Sequence, residues 1–83
     1  MKERVESLLK DSLEEFHVYV EDAFIEEEEG QKVFHIVLDS DEVIDLNRIT
    51  EASRKINEIM DQNESILEGI DVLDIYSKEK GEE

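Results

Sequence analysis

Apolar residues recur every three to four positions along two stretches of this chain and every second position along three others. That change of period sets the expected architecture. Over residues 2–15, Val5, Leu8, Leu9, Ser12, Leu13 and Phe16 fall at i, i+3, i+4, i+7, i+8 and i+11, with Glu3, Glu6, Lys10, Asp11 and Glu14 opposite. Over residues 43–61, Leu46, Ile49, Ser53, Ile56 and Met60 share one face, widened by Ala52 and Ile59. Asp45 precedes this stripe as a helix N-cap, whose carboxylate accepts from the free N–H groups of the first turn. Asn63 stands where the helix is expected to end in a left-handed residue. Both stretches read as amphipathic helices, and each gains most of its stability from the surface it covers.

The period-two segments supply that surface. Residues 17–25 read as a first strand, with Val18, Val20 and Phe24 on one side, Asp22 interrupting them, and Tyr19, Ala23 and Ile25 on the other. Four consecutive glutamates, Glu26 to Glu29, and then Gly30 are expected to end the strand in a turn. Residues 33–38 form a second strand with Phe34, Ile36 and Leu38 on one face and Val33, His35 and Val37 on the other, closing an antiparallel hairpin. An acidic loop, 39–42, leads to the central helix. A connection anchored by Ile66 and Leu67 leads to a third strand over 70–76, with Leu73 and Ile75 opposed to Val72 and Tyr76. The order is α-β-β-α-β, an α+β two-layer domain with two helices on one face of a three-stranded sheet. A third strand parallel to the second requires a right-handed crossover through the helix. The strand order stays open.

At 83 residues the chain is long enough for one small domain, taken as residues 1–76, with a charged tail over 77–83 expected to fray. There is no cysteine, hence no disulfide framework and no thiolate metal site. No apolar run reaches the ~18 residues of a membrane span, and no apolar core follows Lys2 and Arg4 as a signal peptide requires. The expected location is the cytoplasm. Twenty-five acids against nine bases give a formal net charge of -16. Such a surface repels nucleic-acid phosphates and anionic lipid, and it attracts a basic protein.

Candidate chemistry is sparse, and the chain is not expected to be an enzyme. His17 and His35 fall on separate strands with no cysteine and no ligand spacing along a helix, so neither a metal site nor a cofactor is expected. No Gly-x-Ser-x-Gly elbow and no glycine-rich phosphate loop occurs. Asp39-Ser40-Asp41 begins like a calcium loop, but Val43 and Ile44 occupy the next ligand position and the glycine position. The Glu26 to Glu29 run offers a divalent ion only weak, unspecific binding, and the plainer reading is a charged hairpin tip that discourages edge-to-edge pairing. Arg54 and Lys55 are the only adjacent bases on a regular element. Ion pairs of Lys55 with Glu51 and of Arg54 with Glu58 at i, i+4 are the plain reading, and Arg54 as a partner contact is the other.

Three segments together resemble the N-terminal domain of the bacterial ribosome maturation factor family RimP. They are Val33-Phe34-His35-Ile36-Val37-Leu38-Asp39, Ile44-Asp45-Leu46 with Glu51-Ala52-Ser53-Arg54-Lys55-Ile56, and Leu73-Asp74-Ile75-Tyr76-Ser77. The family has a hydrophobic strand closing on an aspartate, a helix opening on Ile-Thr-Leu and carrying Glu, an apolar residue, Ser, Arg and a second base, and a Leu-Glu-Val-Ser-Ser strand. The chain departs from it in having Asp22 where valine is usual. It also lacks the Ser-Ser-Pro-Gly that leads into the family's second, barrel domain. The resemblance implies a non-catalytic role in assembling the small ribosomal subunit, through that subunit's basic protein number twelve. The implied contacts are acidic, at Glu27 and Glu28 of the tip and at Asp39, Asp41 and Glu42 of the loop, with Arg54 on the helix. Two other readings remain: a structural or oligomerising domain of a larger protein, and an RNA-binding module whose basic patch near Arg54 and Lys55 would have to outweigh the net charge.

Overall fold

The computed structural model describes residues 2–42 and 45–78. The Val43-Ile44 start of the central stretch and residues 79–83 of the expected tail lie outside the described residues. The elements run α1 (Lys2–Glu14), β1 (Tyr19–Glu28), β2 (Gln31–Asp39), α2 (Leu46–Asp61), a 3-10 turn (Glu64–Leu67) and β3 (Val72–Ser77). The sheet order is β1-β2-β3, with β2 antiparallel to β1 and parallel to β3. The expected α+β architecture in the order α-β-β-α-β is therefore present, with β2 at the centre.

The core lies between the helices and one face of the sheet. Phe34, Ile36 and Leu38 of β2 are fully buried against Val5, Leu9 and Leu13 of α1 and Ala52, Ile56 and Met60 of α2. Leu73 and Ile75 of β3 pack on the same cluster, as does Ile66 of the 3-10 turn. Leu46, placed on the apolar stripe by its spacing, is instead 79% exposed. It is the first residue of α2, and the stripe meets the sheet only from Ile49 onward. Asp45 caps α2 as expected, its Oδ1 accepting from the Arg48 N–H at 2.7 Å. Asn63 is not left-handed (φ -130). The helix closes at Gln62 in a right-handed conformation, while the Asn63 side-chain amide donates to the Ile59 carbonyl at 2.8 Å and satisfies an acceptor that a left-handed turn would otherwise serve.

β1 departs from the simple alternation in two ways. The pairing shifts between Val20 and Asp22, so Glu21 is an extra residue in a β-bulge. One inserted residue exchanges the two faces of everything beyond it. Val18, Val20 and Ala23 therefore enter the core, while Phe24, expected beside Val18 and Val20, turns to the opposite face. The Asp22 carboxylate supports the kink by accepting from the Ala23 N–H at 2.8 Å.

The glutamate run does not end the strand either. Glu26, Glu27 and Glu28 pair with Val33, Lys32 and Gln31. Repulsion is bearable because β1 is an edge strand, its successive side chains point to opposite faces, and Glu27 lies opposite Lys32. The turn proper is Glu29-Gly30, with φ of 52 and 82. Both central residues are left-handed, the geometry that matches the twist of a two-residue hairpin.

His17, assigned by its sequence to the first strand, ends α1 instead. Its φ is 59, its N–H donates to the Glu14 carbonyl at 3.0 Å, and the Val18 N–H reaches the Leu13 carbonyl at 3.4 Å. This paired closure, with Val18 packed in the same buried cluster as Leu13, is the helix ending that glycine usually provides. Histidine bears a Cβ penalty in that region. His17→Gly is therefore expected to stabilise the domain by about 1 kcal/mol, read as a higher urea midpoint at unchanged slope.

β3 is anchored at both ends. The Asp71 N–H donates to the Lys32 carbonyl and the Lys32 N–H to the Asp71 carboxylate, both at 2.9 Å. The Lys78 N–H donates to the Leu38 carbonyl at 2.8 Å. Ser77, which the sequence placed in a fraying tail, is instead the buried last residue of the strand.

Candidate functional site

The face of the sheet turned away from the helices centres on His35. β2 puts Val33, His35 and Val37 on this side, and all three are buried although no helix covers them. Their cover comes from the flanking strands. The Phe24 ring stacks on His35 at 4.8 Å with planes 14° apart, and the Tyr76 ring meets it edge-on at 5.8 Å and 85°. The bulge in β1 makes the first contact possible by turning Phe24 outward.

Carboxylates border this aromatic centre. His35 Nε2 lies 3.2 Å from Glu28 Oε2 and 3.4 Å from Glu26 Oε1. On the other side of the ring, Nδ1 is 3.3 Å from the Tyr76 hydroxyl and 3.8 Å from Asp74 Oδ2. Asp22, opposite Val37, completes the border. Burial, and then the charges of Asp74, Glu26, Asp22 and Glu28, raise the Tyr76 pKa above its ordinary value, so the hydroxyl keeps its proton at neutral pH.

The six residues singled out from the sequence do not form one patch. Glu27 and Glu28 lie beside the hairpin tip, Glu28 being paired with Gln31. Asp39 pairs with Tyr19 at the other end of the hairpin. The run from Gln31 to Asp39, at ~3.4 Å per residue, separates the two acidic groups by about 27 Å.

At that far end Asp39 Oδ1 accepts from the Ser40 N–H at 2.8 Å. Ser40 Oγ donates to the His17 carbonyl at 2.6 Å and accepts from the Glu42 N–H at 3.2 Å. Glu42 is paired with Arg48 at 3.0 Å, which offsets its charge, while Asp41 is exposed. Arg54 is exposed on α2 and makes no ion pair among the described residues. The helical pair that does form joins Lys55 to Glu58 at 3.6 Å, neither of the two i, i+4 pairs the spacing offered.

Phe24, Tyr76, Asp22 and Asp74 were not singled out from the sequence. The cross-strand register would have found them, since Phe24 and Asp74 are the direct neighbours of His35 on either side. An open groove of about 490 Å³ between α1 and the start of β1 is lined by Glu3, Glu6, Ser7, Lys10, Glu14 and Tyr19, among others. Its walls offer Ser7 with no histidine beside it. Among the described residues no helix is long and apolar enough to cross a membrane.

The architecture and this face define a small acidic α+β domain that presents one side of its sheet to the surroundings. The family model for the RimP N-terminal domain matches residues 8–77. That span runs from within α1 to the last residue of β3, and the chain belongs to this family, whose members are non-catalytic ribosome maturation factors. A comparison with curated proteins gives no match.

Proposed function

We propose that this domain assists assembly of the small ribosomal subunit in the cytoplasm by docking on the subunit's basic protein number twelve. The observation that carries the reading is the formal net charge of -16 on a domain of a ribosome maturation family. An acidic surface of this strength draws in a basic partner and keeps bare rRNA away. The proposed contacts are the Asp39, Asp41 and Glu42 end of the hairpin and, about 27 Å along the sheet, the Glu27 and Glu28 tip. A basic chain laid along the hairpin reaches both. Arg54, which makes no ion pair among the described residues, is available to a carboxylate of the same partner.

The test is a titration with purified protein twelve at about 0.05 M and about 0.3 M salt, ionic strengths between which surface charges become strongly screened. Saturable binding that weakens with salt is expected. The triple variant Asp39→Asn, Asp41→Asn, Glu42→Gln is expected to weaken it about tenfold, from roughly 0.5 kcal/mol for each exposed charge. Unchanged affinity in the triple variant would remove that end of the hairpin as the contact, and no binding at either salt would overturn the reading. One feature favours a second reading, an oligomerising domain: β1 and β3 are both sheet edges. A tight dimer in light scattering, together with no affinity for protein twelve, would establish it.

A further inference from the structure

We propose that His35, Glu26 and Glu28 form a binding site for a borderline divalent metal ion, with Zn2+ as the best fit. One ligand atom from each of the three residues lies within 4.8 Å of the other two. The separations of His35 Nε2 from Glu28 Oε2 and Glu26 Oε1 are 3.2 and 3.4 Å. A tetrahedral ion with bonds of ~2.1 Å sets its ligand atoms about 3.4 Å apart. Two edges of the tetrahedron are thus already present, and the third closes by a rotation of either half-exposed glutamate.

The far side of the imidazole favours the same reading. The Tyr76 hydroxyl at 3.3 Å from Nδ1, beside the Asp74 carboxylate at 3.8 Å, holds the ring with Nε2 turned toward the two glutamates. Nε2, within hydrogen-bond distance of Glu28 Oε2 at 3.2 Å, faces both carboxylates. A divalent ion takes the place of the proton between Nε2 and the carboxylates, and that proton leaves to solvent. A hydrogen-bonded Nδ1 that fixes the ring is how metal-ligating histidines are held. The Phe24 ring stacked at 4.8 Å locks the imidazole from one face, so the histidine needs little reordering to bind. One imidazole with two carboxylates suits zinc, cobalt or nickel and leaves magnesium and calcium, which take oxygen ligands, poorly served. A fourth position stays open to solvent, because both glutamates are exposed. The site belongs to the hairpin itself and does not depend on the ribosomal reading.

The chain is rich in carboxylates, so the experiment has to separate this site from diffuse binding. The intact domain is titrated with ZnCl2 by calorimetry in a large excess of Mg2+, which fills pure carboxylate positions. One saturable ion per chain is expected. On addition of zinc, the long-range 15N–1H imidazole spectrum is expected to show the Nε2 signal of His35 moving and that of His17 staying in place. His35→Phe keeps a ring on Phe24 without the ligand atom and is expected to lower the affinity at least about tenfold, the scale on which even outer-shell partners matter. If that variant fails to fold, Glu26→Gln with Glu28→Gln, on the exposed side, makes the same test. No saturable zinc binding in excess magnesium overturns the proposal. So does affinity retained in the Glu26→Gln, Glu28→Gln variant, or a His35 Nε2 signal unmoved by zinc.

Discussion

Replacing Phe34 by alanine is expected to leave the domain close to its unfolding threshold at room temperature. Phe34 is the largest fully buried side chain and sits mid-way along the central strand, in the cluster that joins both helices to the sheet. Truncating a buried phenylalanine costs about 3–5 kcal/mol, through lost transfer energy and the cavity left behind. A chain of this length has about 4–12 kcal/mol of stability in total. The substitution therefore removes a large share of it, or all. In a circular-dichroism melt the midpoint is expected to fall by about 15 °C or more, at roughly 4–8 °C per kcal/mol. Val72, 39% exposed on β3, is the matching control, and Val72→Ala is expected to shift the midpoint by only a few degrees. Equal shifts for the two would mean that the layer of Phe34, Ile36 and Leu38 is not the centre of the core.

The second large effect is expected from salt. With 25 acids and nine bases, most carboxylates face others of their kind. The ion pairs of Arg48 with Glu42, Lys55 with Glu58 and Lys78 with Glu21 involve few of them. Exposed pairs contribute about 0–1 kcal/mol each, while self-repulsion acts across the whole surface and is relieved by screening. Raising NaCl from about 0.02 M to about 0.5 M shortens the screening length from roughly 20 Å to roughly 4 Å. The melting midpoint is expected to rise by about 5 °C, the equivalent of roughly 1 kcal/mol. A midpoint that falls instead would show that the few pairs outweigh the repulsion.

The parts of the fold that follow from period alone are legible in the order of the residues. The stripes of α1 and α2, the split of β2 into Phe34, Ile36 and Leu38 against Val33, His35 and Val37, and the Asp45 cap each depend on near neighbours along the chain. Three features depend on something else. The bulge at Glu21 is a matter of pairing with β2, and its one trace in the sequence is Asp22 interrupting the apolar side. The strand character of Glu26 to Glu28 depends on occupying an edge opposite Lys32 and beside His35. The helix end at His17 uses a residue that carries no glycine-like signature.

The candidate site is the least legible part, because its members come from three strands. His35 stands out by type, but Phe24, Tyr76, Asp74, Glu26 and Glu28 gather around it only once the register is fixed. The acidic loop and the hairpin tip, both visible as composition, are held at opposite ends of the sheet by that same register.

The order of the strands also bears on how the chain reaches its fold. β1 and β2 are joined by two residues, so their pairing closes quickly and locally. The pairing of Leu73 with Phe34 spans the whole of α2, so its closure carries a larger loop entropy and is expected to follow the hairpin. In that order, β2 would have one unpaired side, along Val33 to Leu38, before β3 docks. The hairpin is expected to form early and β3 to dock late, which φ-values near one in β1 and β2 and near zero in β3 would check. Mutations that loosen β3 would therefore register first as a tendency to aggregate during refolding, before they register as a loss of native stability.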